Sequence, residues 1–181
     1  MMATAKFALL GAASGALYAW WNFRFLDAQS GDDGLIDAIA ALSSQAGAGI
    51  FYGVIVGAAL RRPLALSGIK WLALITAAAL SYYAALNVAI ALYDRQNDTM
   101  SALAGGAAGA AGALLLGLAT ALLSPLARRM PFFATTIAAG LLVGLLLPFG
   151  INADSLAMWT AFFALWQGAY AGAAAYATRI S

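Results

Sequence analysis

The sequence predicts an all-α polytopic membrane protein: a six-transmembrane-helix bundle with both termini cytoplasmic. Three observations predict it. Of 181 residues, 64% are hydrophobic and 9% charged, with a mean hydropathy of +0.87, which is more apolar than an average soluble domain. Six apolar runs follow one another, at about 6–22, 46–61, 70–93, 101–123, 131–149 and 156–178, each near the ~17–25 residues that cross ~30 Å of hydrocarbon. The loops between them alternate in charge. All 7 acidic residues are aspartates: Asp27, Asp32, Asp33, Asp37, Asp94, Asp98 and Asp154 fall after the first, third and fifth runs. The other loops and the termini carry Lys6, Arg61, Arg62, Lys70, Arg128, Arg129 and Arg179 without an acid. Short loops rich in Lys and Arg stay on the cytoplasmic side. Arg24 and Arg95 are the only basic residues on the acidic side. The whole chain, 1–181, reads as one transmembrane domain.

The first run has the look of a signal peptide, with Lys6 ahead of an Ala/Gly-rich stretch. It continues into Trp20, Trp21 and Asn22 without a convincing cleavage site, and its loss would spoil the even topology, so it is read as a helix. The outer loop that follows, about 23–45, holds an amphipathic segment at about 33–44. There Leu35, Ile39 and Leu42 share a helical face beside Ile36, which suits a short helix on the membrane surface or over the bundle. Asp32 and Asp33 precede it, where a helix dipole favours negative charge. Span four is small on every face through Gly105, Gly106, Gly109 and Gly112. Pro148 would kink or end span five.

Small residues also predict how the spans associate. Gly11/Gly15, Gly105/Gly109, Gly140/Gly144 and Gly168/Gly172 form Gly-x-x-x-Gly pairs in four different helices. Lipid offers little hydrophobic drive for helix association, so close backbone approach does much of that work. Span four is expected to pack on protein, either inside the bundle or at a homo-oligomer contact. Two groups of three spans have opposite orientation, as inverted-repeat transporters require, but no residue-level repeat joins them.

Composition excludes several function classes. The net charge of +2 and pI near 9.1 come from juxtamembrane anchors facing anionic lipid, not from a nucleic-acid surface. The chain has no Cys, His or Glu, which removes disulfides, thiol chemistry and histidine-held metal or haem. No charge lies inside a span, against the habit of ion-coupled carriers and proton pumps. No enzyme, cofactor or metal is therefore expected. The uncharged polar residues of the spans are Ser14, Thr76, Ser81, Asn87, Thr120, Thr135, Thr136, Thr160 and Gln167. Ser and Thr can bond the preceding turn, whereas a buried carboxamide has two donors and two lone pairs to satisfy. Asn87 follows Tyr82 and Tyr83, and Gln167 stands between Trp166 and Gly168. Such carboxamides beside aromatic and small residues suit a pocket for an amphipathic ligand with one hydroxyl or carbonyl; they equally suit hydrogen bonds between helices. Trp20, Trp21, Trp71 and Trp159 lie near span ends as interfacial anchors, and Trp166 lies deeper.

The run Asn87-Val88-Ala89-Ile90-Ala91-Leu92-Tyr93-Asp94-Arg95-Gln96-Asn97 resembles the end of the third span in the Insig family, where the pattern is N-x-A-x-A-x-x-D-x-x-N. Tyr83 falls on the family's aromatic position four residues earlier. The last span is similar too, with Trp159, Gly168 and Gly172 at the family's spacing, and so is the loop from Asp32-Asp33 through Leu35-Ile36 and Ile39 to Ser43-Ser44. The loop Ser124-Pro125-Leu126-Ala127-Arg128-Arg129 departs from the family, lacking the acid associated with its escort-protein partner, and Ala173-Ala174-Ala175-Tyr176 replaces a glycine-asparagine run. The resemblance implies a non-enzymatic protein of a bacterial cytoplasmic (inner) membrane that binds a sterol-like or diacylglycerol-like lipid within its helices, as a lipid sensor or regulator. Its ligand residues would be Tyr83, Asn87, Trp166, Gln167 and Gly168, with Asp94, Asn97, Trp159 and Gly172 as motif positions. Two other readings compete. In a substrate-binding subunit of a vitamin-type uptake transporter, Ala8, Ala12 and Ala16 would dock a membrane partner. In a structural subunit of a membrane complex, the glycines suffice.

Overall fold

The computed structural model describes residues 2–27, 34–94, 96–148 and 155–179. Asp32, Asp33, Arg95 and Asp154 lie outside them, and so do the side chains of Leu35, Ile36, Asp37 and Ile39. The described residues form helices and no strand: α1 (Met2–Asp27), α2 (Gly34–Leu60), α3 (Gly68–Leu92), α4 (Asp98–Leu123), α5 (Met130–Gly144) and α6 (Leu156–Arg179). A 3-10 turn, Pro125–Ala127, joins α4 to α5. Three helices are long and apolar enough to cross a membrane, Ala40–Leu60, Gly68–Leu92 and Asp98–Leu123, consistent with an α-helical membrane protein. The outward faces of the others are also apolar, with Leu9, Leu17 and Trp20 exposed on α1, Leu141 and Leu142 on α5, and Met158 and Leu165 on α6.

Two boundaries differ from the sequence expectation. The segment read as a separate amphipathic helix is helical but runs unbroken into the second span as one helix of 27 residues. Residues 40–46 are Ala, Leu, Ser and Gln, and nothing there interrupts backbone bonding. Regular α5 ends at Gly144, short of the expected 149. Pro148 has no N–H to give the Gly144 carbonyl, and its ring crowds that oxygen.

Each helix packs on the next in chain order, and α6 completes a circuit by packing on α5 and, most extensively of all pairs, on α1. The bundle is a ring around an axis. Glycines line two of its seams, and in the α4–α5 seam they meet glycine on glycine. A Cβ built on Gly105 or Gly109 would collide with the carbonyls of Gly144 or Gly140, and those glycines would collide in return with Gly105 and Gly109. Across α1–α6, a Cβ on Gly11 or Gly15 would strike the backbone of Gln167 or Phe163, while Gly168 and Gly172 lie against Ala8 and Ala12. The pairs of α4 and α5 thus meet each other, while those of α1 and α6 share one seam but each packs on other residues of the partner helix. A further series, Gly49, Gly53 and Gly57, seats α2 on Ala78, Ile75 and Trp71 of α3.

The basic end of the ring is closed by its loops. Leu64, Ser124 and Ala127 are fully buried there, and the Ser124 hydroxyl donates to the Leu64 carbonyl at 2.8 Å. The Arg128 Nε donates to the Ala121 carbonyl at 2.8 Å, and the Arg61 Nε to that of Leu66 at 3.3 Å. The first satisfies a carbonyl that the end of α4 leaves without a partner, and the second a carbonyl of the loop before α3. Ala65, with φ of 51°, takes a left-handed conformation that non-glycine residues seldom adopt, which lets the loop turn back beneath the bundle.

Candidate functional site

The inward face of α3 is set by residue size. Leu74, Ala78, Ser81, Tyr82, Ala85 and Ala89 are buried, whereas Ile69, Leu72, Leu80 and Ile90 are exposed. Small side chains let neighbouring backbones approach, and large aliphatic ones face lipid at no cost. On the axis this leaves space, in three compartments stacked from the acidic end to the basic end.

The outer compartment is a cavity of about 330 Å³ between α3, α4, α6 and the end of α5. Its walls are small on one side, with Ala85, Ala89 and Ala108, and aromatic on the other, with Trp159, Phe162 and Trp166. The middle chamber, about 60 Å³, is lined by Ala48, Tyr52, Ser81, Gly112, Gln167 and Tyr170 among others. Tyr82 and Trp166 line both and form the waist between them, their rings 5.6 Å apart. The Tyr18 hydroxyl holds that of Tyr82 at 3.3 Å, and Phe163 packs edge-on to Tyr18 at 4.7 Å. Below the chamber, the Tyr52 and Tyr170 rings meet edge to face at 5.6 Å. The innermost compartment, about 10 Å³, barely admits one water. Among the described residues, none that lines the three is charged.

Among the described residues, five buried side-chain atoms lack a hydrogen-bond partner: Ser14 Oγ, Ser43 Oγ, the Tyr52 and Tyr170 hydroxyls and Gln167 Oε1, the last three on residues that line the middle chamber. Thr76, Thr120, Thr135 and Thr136 return their hydroxyls to the carbonyl four residues earlier, as the sequence suggests. Gln167 does not turn inward on its own helix: Nε2 donates to the Ala48 carbonyl of α2 at 2.9 Å. Its Oε1 and the Tyr52 hydroxyl are buried without a hydrogen-bond partner. Both residues line the middle chamber. The Tyr170 hydroxyl likewise makes no well-formed hydrogen bond, although Thr136 stands beside it.

The residues singled out in the sequence fall in three places. Trp166 and Gln167 reach the axis, and Trp159 joins them in the outer cavity, stacked on Phe163 at 5.3 Å and 16°. Gly168 and Gly172 lie in the α1–α6 seam and open no space beside Gln167. Tyr83 and Asn87 sit on the exposed face of α3, where Asn87 Nδ2 donates to the Tyr83 carbonyl at 2.8 Å. They are therefore not brought together with Gln167; a rotation of 100° per residue carries Tyr82 inward and Tyr83 outward. Asp94 and Asn97 shape the α3–α4 turn: an Asp94 carboxylate oxygen accepts from the Gln96 N–H at 2.9 Å, and Asn97 caps α4 by accepting from the Met100 N–H at 3.1 Å. Trp71, read as an interfacial anchor, also ties two helices, its indole donating to the Gly53 carbonyl at 3.1 Å. Sequence reasoning missed Tyr52 and Tyr170. Their signal was position, because tyrosines belong at span ends and these stand near mid-span.

Compared with family models, curated proteins and solved structures, the chain matches none.

Proposed function

We propose that the chain is a non-enzymatic integral membrane protein that binds one neutral amphipathic lipid on its axis, as a sensor or regulator related to Insig. The observation that carries this reading is the uncharged, largely apolar outer cavity of about 330 Å³, a volume within the range of small-molecule sites. Aromatic walls and a waist of Tyr82 and Trp166 suit an apolar body. The loops packed under the basic end favour a dead-end binding compartment over a conduit. Mass spectrometry of lipids extracted from the purified protein tests it. About one uncharged lipid per chain is expected; a sub-stoichiometric mixture matching the bulk membrane would count against it.

The reading places all six helices across a bacterial cytoplasmic membrane with both termini inside. A cysteine at Asp98 should react with an impermeant thiol reagent added to intact cells, and one at Arg62 should be protected. Labelling of Arg62→Cys from outside would break the topology, since one misplaced loop reverses every later span. The glycines of α4 give no argument for a homo-oligomer, because Gly105 and Gly109 are occupied by α5 and Gly112 by α3. For the transporter-subunit reading, Ala8 and Ala12 of the expected docking face already lie against Gly168 and Gly172, which counts against it.

A further inference from the structure

The middle chamber carries an inference about what kind of polar group the ligand bears; it rests on the lipid-binding reading above. The Ala48 carbonyl can only accept, so the Gln167 nitrogen must face it, and the 2.9 Å bond fixes the amide's orientation. What Gln167 leaves over is Oε1, an acceptor, buried and without a partner. Gln167 is 5% exposed. A buried acceptor left unpaired in an apolar setting is costly, and a neutral partner that donates to it removes the cost. The second unpartnered group of the chamber, the Tyr52 hydroxyl, can donate or accept.

We infer that the middle chamber is a donor-selective subsite, in which Gln167 Oε1 admits lipids bearing a hydroxyl and discriminates against ethers, esters and ketones of the same shape. A hydroxyl donates to Gln167 Oε1 and accepts from Tyr52 in one placement. A carbonyl or ether oxygen can accept from Tyr52 or Tyr170 but has no hydrogen to donate, and leaves Gln167 Oε1 unpaired. The chamber's volume of about 60 Å³ suits a compact head. The shared lining at Tyr82 and Trp166 lets the apolar chain extend into the outer cavity. The ligand is thus oriented head inward, toward mid-membrane, with its chain toward the acidic end. Gln167 is a specificity-determining residue, and Tyr52 is its companion.

The test uses the purified full chain in mild detergent with two probes of equal skeleton, hexadecan-1-ol and its methyl ether. The alcohol should bind about tenfold more tightly, the ratio that one unpaired buried acceptor produces. In Gln167→Leu the alcohol should fall to the affinity of the ether, with the ether unchanged. A hexadecan-1-ol carrying a diazirine at carbon 2 should label the wild-type chain in α2 or α6 near Tyr52 and Gln167, a result that depends on no variant. Equal affinities in the wild type would overturn the inference while leaving lipid binding standing, as would a preference for the alcohol that survives in a folded Gln167→Leu. A label confined to Tyr83 and Asn87 would overturn it too. Binding of neither probe would sink the inference together with the lipid-binding reading.

Discussion

The α4–α5 seam and the axis beside it are made of the same small residues and have opposite packing. At the seam, Gly105 and Gly109 press on Gly140 and Gly144 so closely that a Cβ on any of them would collide with backbone. One position away on α4, Ala108 packs beside Ala85 and Ala89 on the wall of the outer cavity of about 330 Å³, which the edges of Gly105, Gly109 and Gly144 also reach. The difference lies in what opposes each face. At the seam a second glycine face closes the gap. On the axis α3, α4, α6 and the end of α5 converge around a centre too wide for alanine to fill, and aromatic groups from α3 and α6 reach in only part of the way. Small residues in a membrane bundle therefore mark close contact only where a partner backbone can approach; elsewhere they mark space.

Substitutions at neighbouring positions should differ in cost, with the greatest loss at the seam. Gly109→Leu must push α4 from α5, because the obstructing atoms are backbone, and should cost about 3 kcal/mol in detergent thermal or denaturant unfolding. Ala108→Leu adds a comparable bulk into space and should be neutral or gain up to about 1 kcal/mol in the same assay. Equal losses in the two variants would remove the distinction between seam and axis. At the waist, Tyr18→Phe deletes the 3.3 Å bond to Tyr82 and should cost about 1 kcal/mol, with looser retention of ligand. The smallest effect is expected outside the ring. Asn87→Ala loses only a bond to its own helix, so stability should shift by less than about 0.5 kcal/mol, with ligand binding unchanged. A clear binding defect in Asn87→Ala would return α3's outward face to the site.

The α1–α6 closure can be checked without reference to stability. The chain has no cysteine, so Ala12→Cys with Gly168→Cys supplies its only thiols. The Ala12 Cβ lies 3.4 Å from the position of a Gly168 Cβ, near disulfide spacing. Mild oxidation should join the two within one chain, seen as a shift in electrophoretic mobility; failure to join them would open the ring.

The helices were legible in the sequence because apolar runs and charge alternation report the bilayer directly, and the four glycine pairs marked helices that pack closely without showing which helix each would meet. The rotation of each helix was harder to read. In a soluble protein polarity shows the inward face, but in α3 both faces are apolar, so the polar Asn87 drew attention to the wrong one. Size carried the signal instead: Ala78, Ala85 and Ala89 are buried while Leu72, Leu80 and Ile90 are exposed. Gln167 was legible as a buried amide but not its partner, because Ala48 lies 119 residues away in sequence. Nor was the axial cavity legible, since a void is defined by what several helices distant in sequence jointly fail to fill.

The central claim is that the outer cavity is the ligand's compartment, and native mass spectrometry of the detergent-purified chain tests it most directly. The wild-type protein should carry one lipid-sized adduct that survives release from the micelle. Ala108→Phe, which fills the cavity wall, should appear as the bare chain, while Asn87→Ala keeps the adduct. Retention of the same adduct by a folded Ala108→Phe, or its loss in Asn87→Ala alone, would contradict the account.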